Sequence, residues 1–187
     1  HDLRTPLTSI IGYLGWVRTR TDLDEETRNH YIDIAYQKAL RLEQLTNELF
    51  GFVKLEHKEM QLHLGKLDLV QLMEQMLDEM TPSFVKNELQ VEFLHTQNTI
   101  FLEADGELLA RLFGNLLNNA VKYGKEGKQI RVSMEKEGEY VVTRVINYGR
   151  IIPKQELDHI FQKFYRTEQS RSRDTGGTGL GLAIVQQ

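Results

Sequence analysis

The 187-residue chain contains no cysteine, which excludes disulfides, thiolate metal sites and cysteine nucleophiles. No apolar run approaches the roughly 20 residues that span a bilayer, and no signal-peptide pattern opens the chain. Blocks of like charge are absent as well. Acidic and basic residues are interspersed to a formal net charge of -4, which weighs against nucleic acid or an anionic membrane surface as the main partner. There is no internal repeat and no low-complexity segment. Position 1 is not methionine, and Leu182 to Gln187 read as the interior of a helix, so the expectation is a fragment cut from a larger protein. What is left by these exclusions is one or two soluble, compact domains.

Periodicity divides the chain near residue 58. From His1 to about Arg18, Leu3, Leu7, Ile10, Ile11, Leu14 and Val17 recur at three- and four-residue steps, the stripe of an amphipathic helix. Pro6 should kink or loosen that helix, because it lacks an N–H and crowds the preceding carbonyl. After a polar turn, with Asp22 or Asp24 able to cap, a second helix is expected from Glu25 to Glu56. Its stripe is Ile34, Leu42, Leu45, Leu49, Phe52 and Leu55. One such hairpin leaves its apolar stripe half covered, so a homodimer closing a four-helix bundle is expected.

Beyond residue 58 helical and alternating patterns mix. Leu62–Leu64 suggests a short strand, and Asp68 caps a helix running to Met80. Leu89–Phe93 and Ile100–Leu102 read as strands, and Asp105 caps an apolar helix ending at Tyr123. Ile130–Met134 and Tyr140–Ile146 read as a hairpin about the turn Glu135 to Glu139, and Pro153 opens a helix to about Phe161. The fold class is therefore α+β: a helical hairpin, residues 1–58, and an α/β sandwich with antiparallel strands and helices on one face, residues 59–187.

Four stretches of the second part carry possible chemistry. In Asn115–Tyr123, Asn115 and Asn119 lie four apart on one helical face. A buried carboxamide needs a partner, and its oxygen is a hard ligand suited to Mg²⁺; taken alone, this is equally a polar helix end. Asn147-Tyr148-Gly149 follows a strand, and there a side chain can bond a base edge while glycine admits close approach. Taken alone it reads better as an ordinary turn. Phe161–Arg166 could anchor a mobile segment with Arg166 facing a phosphate, although core aromatics would account for it too. Gly176-Gly177-Thr178-Gly179-Leu180-Gly181 opens a helix whose exposed N–H groups suit phosphate. It lacks the P-loop lysine arrangement.

The opening His1-Asp2-Leu3-Arg4-Thr5-Pro6 puts a histidine beside a carboxylate, with a threonine one turn along. A lone histidine here would read as a tag remnant or a solvated residue. In this order, the five stretches resemble the sensor histidine kinases of two-component signalling: an H box at His1–Leu7, an N box at Asn115–Tyr123, a first glycine box at Asn147–Gly149, an F box at Phe161–Arg166 and a second glycine box at Gly177–Leu182. The resemblance is nearest to the vancomycin-resistance sensor type.

The resemblance implies a fold and a mechanism. The hairpin would dimerise and carry the phosphoacceptor. The sandwich would be an ATP-binding domain of the gyrase, chaperone and histidine-kinase type, lacking its C-terminal end. His1 would attack the γ-phosphate of ATP, Asp2 would orient the ring and take up its proton, and Thr5 would position water for dephosphorylation of the partner. Asn119 would coordinate Mg²⁺ with Asn115 in support. Lys122 and Arg166 would contact phosphates, and Tyr123, Asn147 and Gly149 would line the base pocket. Gly177, Gly179, Leu180 and Gly181 would cradle phosphate through backbone. The phosphoryl group would pass to an aspartate on a response-regulator receiver domain. The chain would be the cytoplasmic part of a membrane-anchored bacterial sensor, touching the membrane only through N-terminal sensor segments outside this sequence.

One departure bears on affinity. The family's Asp-x-Gly-x-Gly is here Asn147-Tyr148-Gly149-Arg150-Ile151. Asn147 brings no charge and Ile151 stiffens the hinge, so weakened nucleotide binding is expected. That leaves an alternative reading as a kinase-fold scaffold or a phosphatase-biased protein. ATPases of the gyrase or chaperone class lack the upstream His-Asp-x-x-Thr-Pro hairpin.

Overall fold

The computed structural model describes residues 3–56, 62–149, 151–167 and 179–185, without the side chains of 48, 52 and 54–56. Phe52 and Leu55 of the expected second-helix stripe thus fall outside the described side chains. The chain separates into two compact units, His1–Lys58 and Glu59–Gln187.

The first unit is a pair of packed helices, α1 (Arg4–Thr19) and α2 (Glu25–Glu56). Pro6 stands in the first turn of α1 as described, where a missing N–H costs little, and it is buried. Asp24 caps α2: its carboxylate accepts the Thr27 N–H at 2.7 Å and the Thr27 hydroxyl at 2.9 Å. These bonds, the backbone one foremost, hold its pKa below the ordinary value. Aromatic contacts tie the two helices together, with Tyr13 stacked on Tyr31 at 5.8 Å and Trp16 edge-on to the same ring at 5.9 Å. Leu7, Ile11 and Leu14, at steps of four and three along α1, remain exposed within the single chain. They form a continuous apolar face that the hairpin itself does not cover.

The second unit contains β1 (Gly65–Asp68), α3 (Leu69–Lys86), β2 (Gln90–His95), β3 (Phe101–Ala104), α4 (Gly106–Gly124), β4 (Gln129–Glu137), β5 (Tyr140–Asn147), one 3-10 turn (Lys154–Glu156) and α5 (Gly181–Val185). β1 pairs antiparallel with β3, and a second sheet has the order β2-β4-β5. Ile130, Val132 and Met134 alternate along β4 toward the core, where they meet Val70, Met73 and Phe84 of α3 and Phe113, Leu117 and Ala120 of α4. Both helices therefore pack on one face of the sheet.

Several expected elements are corrected. Leu62–Leu64 is not a strand; the strand begins at Gly65, where Gly65↔Ala104 pairing starts. The His63 N–H is turned instead to the Asp105 carboxylate at 2.9 Å. α3 runs past Met80 and through Pro82 to Lys86, because Phe84 is buried in the core and holds the last turn in place. β2 and β4 are parallel rather than antiparallel, which the long connection through β3 and α4 permits. The β4–β5 turn is only Gly138-Glu139, with Gly138 at φ 65°, the positive φ that a tight hairpin turn requires. After Pro153 there is one 3-10 turn, not a helix to Phe161.

Asp105 ties the start of α4 to the segment ahead of β1. It caps α4 through the N–H groups of Glu107 and Leu108, at 3.1 and 3.2 Å, and accepts from His63. The His63 backbone bond, then that of Leu108, lowers its pKa. A carboxyl whose folded pKa lies below its unfolded value contributes stability above about pH 4, and that contribution is lost as pH falls through the lowered pKa. Asp105→Ala is therefore expected to melt at a lower temperature than the parent at pH 7, with the gap narrowing as the pH falls below about 4. A gap independent of pH in thermal melts would contradict this.

Candidate functional site

The site in the second unit is organised along one edge of α4. Asn115, Asn119 and Lys122 stand at steps of four and three, so they line a single stripe. The opposite side of the helix is fixed in the core by Phe113, Leu117, Ala120 and Val121. Asn115 has its Nδ2 buried with no hydrogen-bond partner. A buried amide of this kind costs free energy unless something bonds it.

The glycine-rich helix start meets α4 at that residue. A Cβ on Gly181 would lie 3.8 Å from Asn115 Oδ1. Leu180, Ala183 and Ile184 are buried and seat α5 against the rest of the unit. Gly179, at φ 74°, leaves no room for a side chain, since a Cβ would come within 2.7 Å of the Phe164 backbone carbon. The Phe164 N–H donates to the Gly179 carbonyl at 3.1 Å. The aromatic segment and the glycine segment are thus joined backbone to backbone. Arg166 follows directly, half-buried and with its Nε shielded from solvent.

At the other end of the stripe, Asn147-Tyr148-Gly149 lies against the C-terminus of α4. A Cβ on Gly149 would fall well inside the radius of the Tyr123 carbonyl oxygen, and one on Gly124 would lie 3.2 Å from the Asn147 Cβ. The Tyr148 N–H donates to the Gln129 carbonyl at 3.1 Å. Lys122 is folded over the Tyr123 ring, 4.8 Å from its centre. From Asn115 to Tyr123 the helix rises about 12 Å. An unpaired amide and helix-start N–H groups lie at one end, with a half-buried carboxamide and a ring at the other.

Of the residues expected from sequence, Asn115, Asn119, Lys122, Tyr123, Asn147, Gly149, Arg166, Gly179, Leu180 and Gly181 fall in this second unit. Those along α4 meet the glycine helix at Asn115 and the β5 end at Tyr123. Thr5 is exposed in the first turn of α1. His1, Asp2 and Gly177 lie outside the described residues. Among the described residues no group of three or more His, Asp or Glu could hold a metal.

Comparison with known proteins places this geometry. The pattern of the His Kinase A (phospho-acceptor) domain matches residues 1–58, and that of the histidine kinase-, DNA gyrase B- and HSP90-like ATPases matches residues 104–187. Sensor protein VanS of Enterococcus faecium is 38% identical over 187 residues, covering 100% of this chain and 48% of its own length. Sensor protein VanSC of Enterococcus gallinarum is 36% identical over 187 residues, covering 100% and 51%. The chain belongs to the sensor histidine kinases. Histidine kinase AdeS of Acinetobacter baumannii shares the fold at a TM-score of 0.72 and 22% identity, over 99% of this chain and 83% of that one. Histidine kinase ThkA, solved in complex with response regulator protein TrrA, matches at a TM-score of 0.74 and 26% identity, over 89% and 48%. The chain spans about half the length of the two VanS relatives.

Within this sensor histidine kinase, two features of the site were not anticipated from sequence. Gly127 sits where any Cβ would collide with the Tyr148 carbonyl oxygen, and Gln129 supplies the acceptor for the Tyr148 N–H. Both set the position of the Asn147–Gly149 turn. Neither belongs to a box, and the only sequence signal was a glycine in the polar loop Lys125-Glu126-Gly127-Lys128. Ile151, expected to stiffen a hinge, projects into solvent at 89% exposure.

Proposed function

We propose that this chain is the catalytic core of a sensor kinase that phosphorylates His1 from Mg-ATP and passes the phosphoryl group to a response-regulator aspartate. The observation that carries the reading is the α4 edge, which meets the glycine helix at Asn115 and the Asn147 turn at Tyr123. An adenine base would sit by Asn147 and Tyr123. Phosphates would meet Asn115, Lys122, Arg166 and the N–H groups of the segment Gly177 to Gly181. A Mg²⁺ ion would be held by the carboxamide oxygen of Asn119, with Asn115 in support, and would neutralise charge on the phosphates. The orphaned amide of Asn115 fits such a polar ligand.

A lone-pair nitrogen of the His1 ring would form the N–P bond as the bond from the γ-phosphorus to the β–γ bridging oxygen breaks, and ADP would leave with that electron pair. Asp2 would hold the ring and take the proton that the imidazole loses. The uncovered Leu7–Ile11–Leu14 face supports a homodimer, and the likeness to ThkA, solved with a response regulator, supports a receiver domain as partner. Thr5, exposed and four residues after His1 in the sequence, would position water for the reverse, phosphatase direction. The whole protein would be membrane-anchored through segments outside this sequence, with these domains in the cytoplasm; no described helix is long and apolar enough to cross a membrane.

The test is incubation of the full-length protein with γ-labelled ATP and Mg²⁺. An acid-labile, base-stable label is expected, reduced by about a hundredfold or more in Asn119→Ala. Undiminished labelling in that variant would remove Asn119 from the site. Nucleotide binding without any label would move the function to the phosphatase-biased alternative.

A further inference from the structure

We infer, on the footing of the nucleotide-site reading above, that the base pocket accepts guanine as well as adenine nucleotides. The residue responsible is Asn147. Its backbone is held at the end of β5 in register with Ile130, and its Cβ is packed against the Cα side of Gly124. The root of the side chain is thus fixed while the carboxamide head can turn. Among the described residues no hydrogen bond locks that head in one orientation.

A carboxylate at this point is an acceptor only. It takes a hydrogen bond from the exocyclic amino group of adenine, and it opposes the corresponding carbonyl oxygen of guanine, acceptor facing acceptor. A carboxamide carries both functions on one planar head. With its oxygen inward, Asn147 accepts from the adenine amino group. After a half-turn about its last torsion, its NH₂ donates to the guanine carbonyl oxygen. The same change that removes charge from the pocket therefore removes the penalty against guanine. Sites that bury a mismatched polar group reject the wrong ligand by large factors, and Asn147 presents no mismatch to either base.

Calorimetric titration of the full-length protein with Mg-ATP, Mg-GTP and Mg-CTP decides the matter. Mg-GTP is expected to bind within about tenfold of Mg-ATP, with Mg-CTP clearly weaker. In Asn147→Asp, Mg-GTP is expected to fall about a hundredfold behind Mg-ATP, with the thermal midpoint of the protein unchanged. If Mg-ATP binds and Mg-GTP lags by a hundredfold in the parent protein, the inference is overturned while the nucleotide site stands. Equal binding of all three would also overturn it, because the base would then go unread. If no nucleotide binds, the site reading itself falls and the inference with it. The parent titration is sufficient even if the variant does not fold.

Discussion

His1→Gln is expected to abolish the acid-labile phosphoryl label, a loss of about a thousandfold or more, because it removes the ring nitrogen that would attack the γ-phosphate. Glutamine keeps a polar head of similar reach but has no basic nitrogen lone pair, so no N–P bond forms. The chemistry of the label discriminates further. Acid protonates a phosphorylated imidazole and makes it a good leaving group, whereas a phosphorylated hydroxyl survives acid. Label that resists acid, or that persists in His1→Gln, would remove His1 from its role. Asp2→Asn should give a graded result, about a hundredfold slower labelling with nucleotide affinity unchanged, because a general base contributes to the rate and not to binding. Loss of nucleotide affinity in either variant would show that the defect lies elsewhere.

The features legible in the sequence are those carried by local chemistry. Asp24, Asp68 and Asp105 each accept an N–H two or three residues ahead, and such caps can be read from residue type and the start of a periodic pattern. The span of α2 and the apolar side of α4 follow from 3.6-residue periodicity in the same way. Features set by distant partners were not legible. β1 was placed too early because its limits are fixed by Phe101–Ala104, more than thirty residues on. The parallel sense of β2 and β4 leaves no local mark, since alternation of side chains is the same for either direction. The helix after Asp68 was ended at Met80, where its apolar pattern stops, whereas burial of Phe84 carries α3 through Pro82 to Lys86. In the site, Asn115 and Asn119 were recognisable as amides in an apolar helix, and Asn147 as a polar residue in the turn after a strand. Gly127 was not, because the carbonyl it accommodates lies twenty-one residues away in the chain.

Gly127→Ala is accordingly expected to have an effect that its surface-loop setting would not suggest. The added Cβ would collide with the Tyr148 carbonyl oxygen and come within 2.7 Å of the Tyr148 Cβ. The clash is with backbone, so no rotamer change relieves it, and either the Lys125–Lys128 loop or the Asn147–Gly149 turn must move. Overpacking of this kind costs about 1–3 kcal/mol, which should appear as a lower denaturant midpoint for the second unit. Gly65→Ala is the matched comparison, because a Cβ there meets nothing within 4 Å; it should be neutral. Gly127→Ala should also weaken Mg-ATP by about tenfold, since the turn it displaces carries Asn147 and abuts Tyr123, and misplacement of a positioned group is costly even when the group itself is intact. A stability loss with unchanged affinity would assign Gly127 to folding alone. A loss of affinity in Gly127→Ala that is rescued by Tyr148→Ala would not be expected, because the collision is with the carbonyl that every residue at 148 retains.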